Sequence, residues 1–282
     1  MSNETGVLDE RKELPPARIA LSTRRYVASL PFGTLLTGMA VPVLLVLLWE
    51  TAGQLKWVRT VFLPTPSSVV STFFESVEND RFLLDFWVSI YTVVRGFIWG
   101  GLLGLGFGTM AGLSKTVERL FGPLLNSIRQ VPAIAFLPLI ILWVGIGDLG
   151  KLVVIGKAVF FPVFLNTLQG IRSVSHEYVE VAKVYQFTRA QLIRRVIFPA
   201  ALPTIFVGIR YGAGMAWAMI VAAEMLSGRI GLGYVLTRGQ ELLLTKQVFV
   251  VIVVIGLVGY LIDTVIVRVE KRFVKWKKSF AT

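Results

Sequence analysis

Long apolar runs separated by short polar segments make up most of the chain between residues 31 and 270. A helix that crosses the apolar layer of a bilayer, roughly 30 Å thick, needs about 20 mostly apolar residues. By this measure the pattern predicts six membrane spans, at residues 32–49, 86–113, 132–146, 152–170, 208–226 and 248–267. The expected fold class is therefore all-α, a polytopic membrane protein with a single transmembrane domain over residues 31–270.

Prolines in the third span and glycines in the second predict how these two helices begin and pack. The third is short, and its Pro132 and Pro138 predict an irregular beginning, so a tilted or re-entrant helix is an alternative to a full span. The second contains four glycines spaced four residues apart, which fall on one helix face: Gly100, Gly104, Gly108 and Gly112. Small residues at this spacing predict close helix packing, within the chain or in a dimer.

The charged residues give the orientation. Although the net charge is +12, the basic residues lie between apolar runs and at the ends, which does not favour nucleic-acid binding. With six spans, 19 of the 29 Lys and Arg residues fall on the side of the termini and 7 on the other. The polar segment around Arg119 counts here as a cytoplasmic loop. The positive-inside rule then predicts a multi-pass protein of the bacterial inner membrane with cytoplasmic tails at residues 1–30 and 271–282.

Several kinds of chemistry are excluded by composition. The chain has no cysteine and only one histidine, His176, so thiolate sites, histidine metal sites and catalytic triads are not expected. Gly145, Gly147 and Gly150 spell G-x-G-x-x-G, but Leu152 stands where a P-loop needs Ser or Thr. We expect no enzyme activity and no cofactor on this chain, so any energy from ATP must come through another polypeptide.

The polar segment at residues 171–203 is the most informative stretch. Apolar side chains recur in it near helical spacing, with charged side chains between them. The apolar positions are Tyr178, Val181, Ala182, Tyr185 and Ile193, and the polar ones are Glu180, Lys183, Arg189, Arg194 and Arg195. The pattern predicts an amphipathic helix on the cytoplasmic surface, and a helix lying on lipid headgroups is the alternative.

This segment resembles the cytoplasmic loop in the permease subunits of binding-protein-dependent ABC importers. The family pattern is Glu-Ala-Ala, three residues, Gly, nine residues, Ile, two residues and Pro; the matching positions here are Glu180, Val181, Ala182, Gln186, Val196 and Pro199. Gln186 departs from the pattern, because glycine permits a tight turn between two short helices. The resemblance implies a coupling helix that docks in a groove of a separate ATPase subunit.

The residues expected to act in this coupling loop are Glu177, Glu180, Val181, Ala182, Tyr185, Gln186, Arg189, Val196 and Pro199. Among them, the small Ala182 would let the helix seat closely and Glu180 would pair with a basic group. Tyr185 would act as an aromatic anchor.

Further stretches, at residues 62–70, 165–174, 199–226, 231–236 and 258–263, are similar to the sulfonate, taurine and nitrate branch of these permeases. The resemblance implies a type I architecture, a homodimer, two ABC ATPase subunits that bind ATP and Mg, and an extracytoplasmic substrate-binding protein. The implied cargo is a small oxoanion: an aliphatic sulfonate, taurine, nitrate or bicarbonate. An ion-gradient-driven secondary transporter and a membrane scaffold are the rival hypotheses, and only the loop at 177–199 separates them from an importer.

Ionisable residues inside membrane spans are costly, so each is a candidate for function. Arg95, Lys157, Arg210 and Glu224 meet this criterion. Met215 and Trp217 lie in the fifth span, which helps line the pathway in the resembling family. These six residues are the predicted translocation pathway, and snorkelling or core packing is the alternative for each of them.

Overall fold

The structure is a computed structural model that describes residues 31–145 and 147–274, with the side chains of residues 31–39 and 227 left undescribed. Nearly all of the described chain is helical, and it contains no strand. The predicted all-α class is confirmed. The predicted N-terminal tail, and the C-terminal tail from residue 275 onward, lie outside the described residues.

Eleven α-helices follow one another in the described ranges. They are α1 (Pro31–Gln54), α2 (Pro66–Val77), α3 (Asp80–Leu113), α4 (Lys115–Gln130), α5 (Leu137–Val144), α6 (Asp148–Arg172), α7 (His176–Val184), α8 (Arg189–Leu192), α9 (Phe198–Ser227), α10 (Leu232–Glu241) and α11 (Thr245–Phe273). A 3-10 turn (Ala133–Phe136) precedes α5, and a π turn (Ile193–Ile197) joins α8 to α9. The chain divides into two compact units, Met1–Leu47 and Leu48–Thr282, and all contacts described below lie within the second.

The helices begin where short polar side chains can cap them. Thr65, Asn79 and Ser114 each accept a hydrogen bond from a backbone N–H in the first turn of α2, α3 and α4. These oxygens satisfy amides that have no partner within the helix. The caps fix the sharp turns that separate consecutive helices.

Four helices are long and apolar enough to cross a membrane: α3, α6, the continuous helix Arg189–Leu226 and α11. They cover the second, fourth, fifth and sixth predicted spans, with the fifth beginning well before residue 208. The first predicted span coincides with α1, a helix of 24 residues whose fully described part, Ala40–Gln54, is apolar.

The third predicted span, residues 132–146, begins irregularly, as Pro132 and Pro138 predict, with the 3-10 turn Ala133–Phe136 before the short helix α5. α4 ends at Gln130, and it forms with the segment Ala133–Val144 a pair bent by 87°, which counts at most as one further span. The break falls at Val131 and Pro132 because proline has no N–H to donate and disfavours helical geometry in the residue before it.

The glycine face of α3 packs directly on α6, which confirms close packing within the chain. A Cβ atom on Gly100 would lie 2.4 Å from the carbonyl oxygen of Gly156, and one on Gly104 would lie 2.6 Å from that of Phe160. α6 in turn packs along α9. The apolar core between these helices and α11 contains Ile155, Val159, Val163, Ile220, Val250 and Val251.

α4 runs back along α3 instead of forming a surface loop. Phe107 and Phe121, seven residues before and after the cap Ser114, have ring centroids 6.4 Å apart. Near the turn, Glu118 pairs with Arg172 at the end of α6. Arg129 therefore lies in a helix, where the sequence predicts a loop.

Candidate functional site

The predicted coupling segment forms a compact helix–turn–helix. Ser175 caps α7, which ends at Val184, and Thr188 begins the next helix with a capping box that it forms with Gln191. The segment therefore consists of two short helices separated by residues 185–188, where the family pattern has its turn. From Arg189 the chain is helical through the π turn into α9 as far as Leu226, so the turn is joined to a membrane-spanning helix.

The sharp turn depends on Gln186, which has a φ of 56°. This left-handed conformation costs a residue with a Cβ roughly 1–2 kcal/mol, whereas glycine adopts it freely. Gln186 thus takes the backbone geometry for which the family pattern uses glycine. The turn forms with glutamine at this position because two backbone hydrogen bonds close it. The N–H of Gln186 donates to the carbonyl of Lys183 at 2.9 Å, and the N–H of Phe187 donates to the carbonyl of Ala182 at 3.0 Å.

α7 carries an apolar face with no partner among the described residues. Tyr178, Val181, Val184 and Tyr185 are 59%, 55%, 81% and 73% exposed. Positions separated by three and four residues share one side of a helix. An exposed apolar stripe of this kind is typical of a helix that binds in a groove of another protein.

Ala182 has a different place from the predicted one. Its side chain is only 3% exposed, so it is covered by its own chain. It therefore lets α7 sit close to its own chain and is not accessible to a docking partner. Glu180 remains exposed and pairs with Nδ1 of His176 at 3.0 Å, one helical turn earlier.

The other predicted coupling residues lie around this helix. Glu177 is exposed in the first turn of α7, and Arg189 is exposed at the start of α8. Val196 and Pro199 are half-buried in the π turn and the first turn of α9. Val196 and Pro199 therefore lie where the coupling segment joins the bundle, whereas the exposed residues of α7 are free to contact another protein.

The six predicted pathway residues do not form one site. Arg95 is half-buried, with its guanidinium 5.1 Å from the ring centre of Tyr91 on its own helix. Met215 is half-buried in α9. Trp217 is buried in the core and donates from Nε1 to the carbonyl of Ile255 in α11 at 2.9 Å.

Arg210 joins α9 to α11 through a two-pronged ion pair. Its Nε and Nη2 donate to the two carboxylate oxygens of Asp263 at 2.5 and 2.8 Å. Paired guanidinium–carboxylate bonds of this geometry fix the relative position of two helices. Lys157, by contrast, donates from Nζ to the carbonyl of Val131 at 2.8 Å, at the break after α4.

Glu224 lies in a fully buried polar cluster at the end of α9. Its carboxylate accepts a hydrogen bond from the hydroxyl of Ser89 at 2.7 Å and one from the N–H of Gly233 at 3.0 Å. The hydroxyl oxygen of Ser89 accepts the N–H of Leu232 at 3.0 Å, and Asp85 accepts that of Gly231 at 2.8 Å. Three successive amides at the start of α10 therefore end on side chains of α3 and α9.

Two cations balance this cluster. Arg81 lies 3.6 Å from Asp85, and the buried Lys151 of α6 attracts Glu224 electrostatically. Buried carboxylates are tolerated only when hydrogen bonds and opposite charges compensate them. The cluster thus fastens α10 to α3 and α9, at the end of the bundle opposite α7.

Glycine is required at this fastening. A Cβ on Gly231, whose φ is 116°, would lie 2.2 Å from the Glu224 carboxyl carbon, and one on Gly233 would lie 2.4 Å from the carbonyl of Val221. Sequence reasoning missed Asp85, Ser89 and these glycines. The i, i+4 spacing of Asp85 and Ser89 was a signal, but Asp85 precedes the predicted span by one residue.

The chain matches a known family over most of its length. The pattern of the family described as "Binding-protein-dependent transport system inner membrane component" matches residues 100–275. The putative aliphatic sulfonates transport permease protein SsuC of Bacillus subtilis (strain 168) is 38% identical over 243 residues, 86% of this chain and 88% of that protein.

Two further relatives bear different names. The taurine transport system permease protein TauC of Escherichia coli (strain K12) is 32% identical over 82% of this chain and 86% of its own length. The nitrate import permease protein NrtB of Synechocystis sp. is 30% identical over 72% of this chain and 74% of its own. The fold, the exposed face of α7 and these matches together show that the chain belongs to the family of binding-protein-dependent inner-membrane transport components, as a permease.

Proposed function

We propose that the chain is the membrane subunit of an ATP-driven importer that moves a small oxoanion inward by alternating access. The exposed apolar face of α7 is the observation that supports this proposal most strongly, since neither a secondary transporter nor a scaffold needs it. The cargo is an aliphatic sulfonate, taurine, nitrate or bicarbonate, and the names of the three relatives support the first three of these.

The complex consists of two copies of this chain, two ATPase subunits and an extracytoplasmic binding protein. ATP and Mg bind to the ATPase subunits, and this chain supplies no catalytic group. α7 faces the cytoplasm together with both termini, in the orientation that the distribution of Lys and Arg predicts.

α7 and the turn after it can transmit motion because they are joined directly to a long membrane-spanning helix. The helix that begins at Arg189 ends at Leu226, beside the Glu224 cluster. If an ATPase moves α7, the helix Arg189–Leu226 would therefore carry the movement to the opposite end of the bundle. There it would also move α10, which is hydrogen-bonded to α9. Rigid elements with two packing arrangements are the usual basis of such switching.

Val184→Asp is expected to abolish co-purification of the ATPase with this chain. Val184 is 81% exposed, so a charge there leaves the fold intact, with a stability change within about 0.5 kcal/mol. In a docked complex the same carboxylate would be buried without a partner. The measurement is affinity purification of the tagged chain from its native membrane, followed by detection of bound ATPase.

Val61→Asp is the matched control. Val61 is 60% exposed and lies between α1 and α2, where it lines a cavity together with Leu244, the residue between α10 and α11. ATPase binding should survive this change. Retention of ATPase by Val184→Asp, or its loss in both variants, would contradict the docking role of α7.

A further inference from the structure

The break between α4 and α5 lies deep beside the membrane spans. Glu118 near the start of α4 pairs with Arg172, and Val131 at its end accepts a hydrogen bond from Lys157. Lys157 is 15 residues before Arg172 on α6, a distance of about 22 Å along the helix axis. α4 therefore runs antiparallel to α6, and its C-terminal end reaches the interior of the apolar layer.

The distance of Lys157 from the other end of α6 also places the break inside the apolar layer. Lys157 follows Asp148, the first residue of α6, by nine residues, or about 13 Å of helix. The whole helix of 25 residues is about 37 Å long, slightly more than the apolar layer of roughly 30 Å. The break is thus well removed from both surfaces, which distinguishes α4 from a helix lying on lipid headgroups.

Polar side chains occupy the last turn of α4 at this depth. Asn126, Arg129 and Gln130 are exposed, lie on one side of the helix, and make no hydrogen bond or ion pair within the described part of the chain. The opposite side of α4 is apolar, with Leu120, Leu124 and Ile128 in line. A guanidinium at this depth is costly in contact with lipid, so it faces a water-filled cavity.

The non-helical backbone at the break must also be shielded from lipid, because such backbone is tolerated at membrane depth only where protein or water covers it. The carbonyl of Val131 is satisfied by Lys157, whose ammonium also lies 4.3 Å from the ring centre of Phe136. This contact holds the break beside α6 and places a second cation, Lys157, at the break that follows Arg129 by two residues. The region is positive, and the acid Glu118 lies at the other end of α4.

We infer that the polar face at the break between α4 and α5, with Arg129 as its main contact, binds the transported anion inside the membrane. The planar guanidinium can donate two parallel hydrogen bonds to an oxoanion, and Asn126 and Gln130 can donate more. Lys157 positions the break and contributes charge. The inference rests on the proposed function for its cargo.

The first experiment tests the water-filled face without requiring transport. Because the chain has no cysteine, Gln130→Cys introduces the only thiol of this chain, and labelling is measured on this chain after it is separated from its partners. In the full complex in membranes, this thiol should react with a small water-soluble anionic thiol reagent about tenfold faster than with a cationic one of equal size. This ratio corresponds to about 1.4 kcal/mol and arises because a nearby positive charge attracts the anionic reagent and repels the cationic one. Leu102→Cys, 61% exposed on the side of α3 away from α6, should be inert.

The matched double variant isolates the charge. Adding Arg129→Gln to Gln130→Cys should leave the thiol reactive but remove most of its preference for the anionic reagent. If the double variant kept the same preference for the anionic reagent as Gln130→Cys alone, the anion site would be overturned. A Gln130→Cys thiol as inert as that of Leu102→Cys would show a lipid-covered face and overturn the whole inference, whatever the chain transports.

The second experiment measures uptake by the complete complex. Arg129→Gln should lower the uptake rate at limiting cargo at least about tenfold, while ATPase co-purification is retained, because a bidentate charged contact is lost. Arg129→Lys should recover part of it. Arg119→Gln, an exposed guanidinium near the start of α4, should stay within about twofold of wild type. Unchanged uptake in Arg129→Gln would overturn the site and leave the importer proposal standing.

Discussion

Gly100→Ala is expected to weaken the packing of α3 on α6 severely, by about 3 kcal/mol or more, because a methyl group cannot enter a close-packed backbone contact. The new Cβ would lie 2.4 Å from the carbonyl oxygen and 2.8 Å from the Cα atom of Gly156. These are backbone atoms, so no side chain can move aside. The two helices would have to separate along their whole contact.

The comparison variant lies on the same helix. A Cβ on Gly106 meets nothing within 4 Å, so Gly106→Ala should be neutral or stabilise α3 by up to about 1 kcal/mol through helix propensity. The midpoint of unfolding in detergent, followed by circular dichroism, measures both. Equal midpoints for the two variants would contradict the close contact between α3 and α6.

Glu224→Ala should be the most damaging single change at the other end of the bundle, with a cost of about 3–5 kcal/mol for breaking a buried compensated charge. It leaves the Gly233 N–H and the Ser89 hydroxyl without their acceptor and the charge of Lys151 without its counterpart. Helix α10 would detach from α3 and α9.

Hydrogen exchange distinguishes this local effect from general unfolding. The amides of Gly231, Leu232 and Gly233 should lose protection in Glu224→Ala before those of α6 do. Glu241→Ala, which removes an exposed carboxylate at the end of α10, should change stability by no more than about 0.5 kcal/mol. Persistent protection of the three amides in Glu224→Ala would show that α10 is held by other contacts.

The features predicted correctly from sequence are those with a local signal. The apolar runs gave four of the spans, and the spacing of Gly100 to Gly112 gave the packing face of α3. The coupling pattern placed a turn at residue 186, where the structure has a left-handed residue. Each of these depends on residues within one or two helical turns of one another.

The features that were missed depend on distant contacts or on depth. Ser89 and Glu224 are 135 residues apart, and nothing in either neighbourhood indicates the other. The period of α7 showed which residues share a side but not that Ala182 faces inward. The polar side chains of α4 suggested a loop, and only the contact between Lys157 and Val131 places Arg129 beside the spans.

Uptake into sealed vesicles tests the central claim most directly. The chain is reconstituted with the ATPase that co-purifies with it and with the binding protein, and uptake of a labelled aliphatic sulfonate, taurine and nitrate is measured with and without ATP. We expect accumulation of at least one of these anions only when ATP and the ATPase are both present. Accumulation by this chain alone, driven by an ion gradient without ATP, would contradict the account.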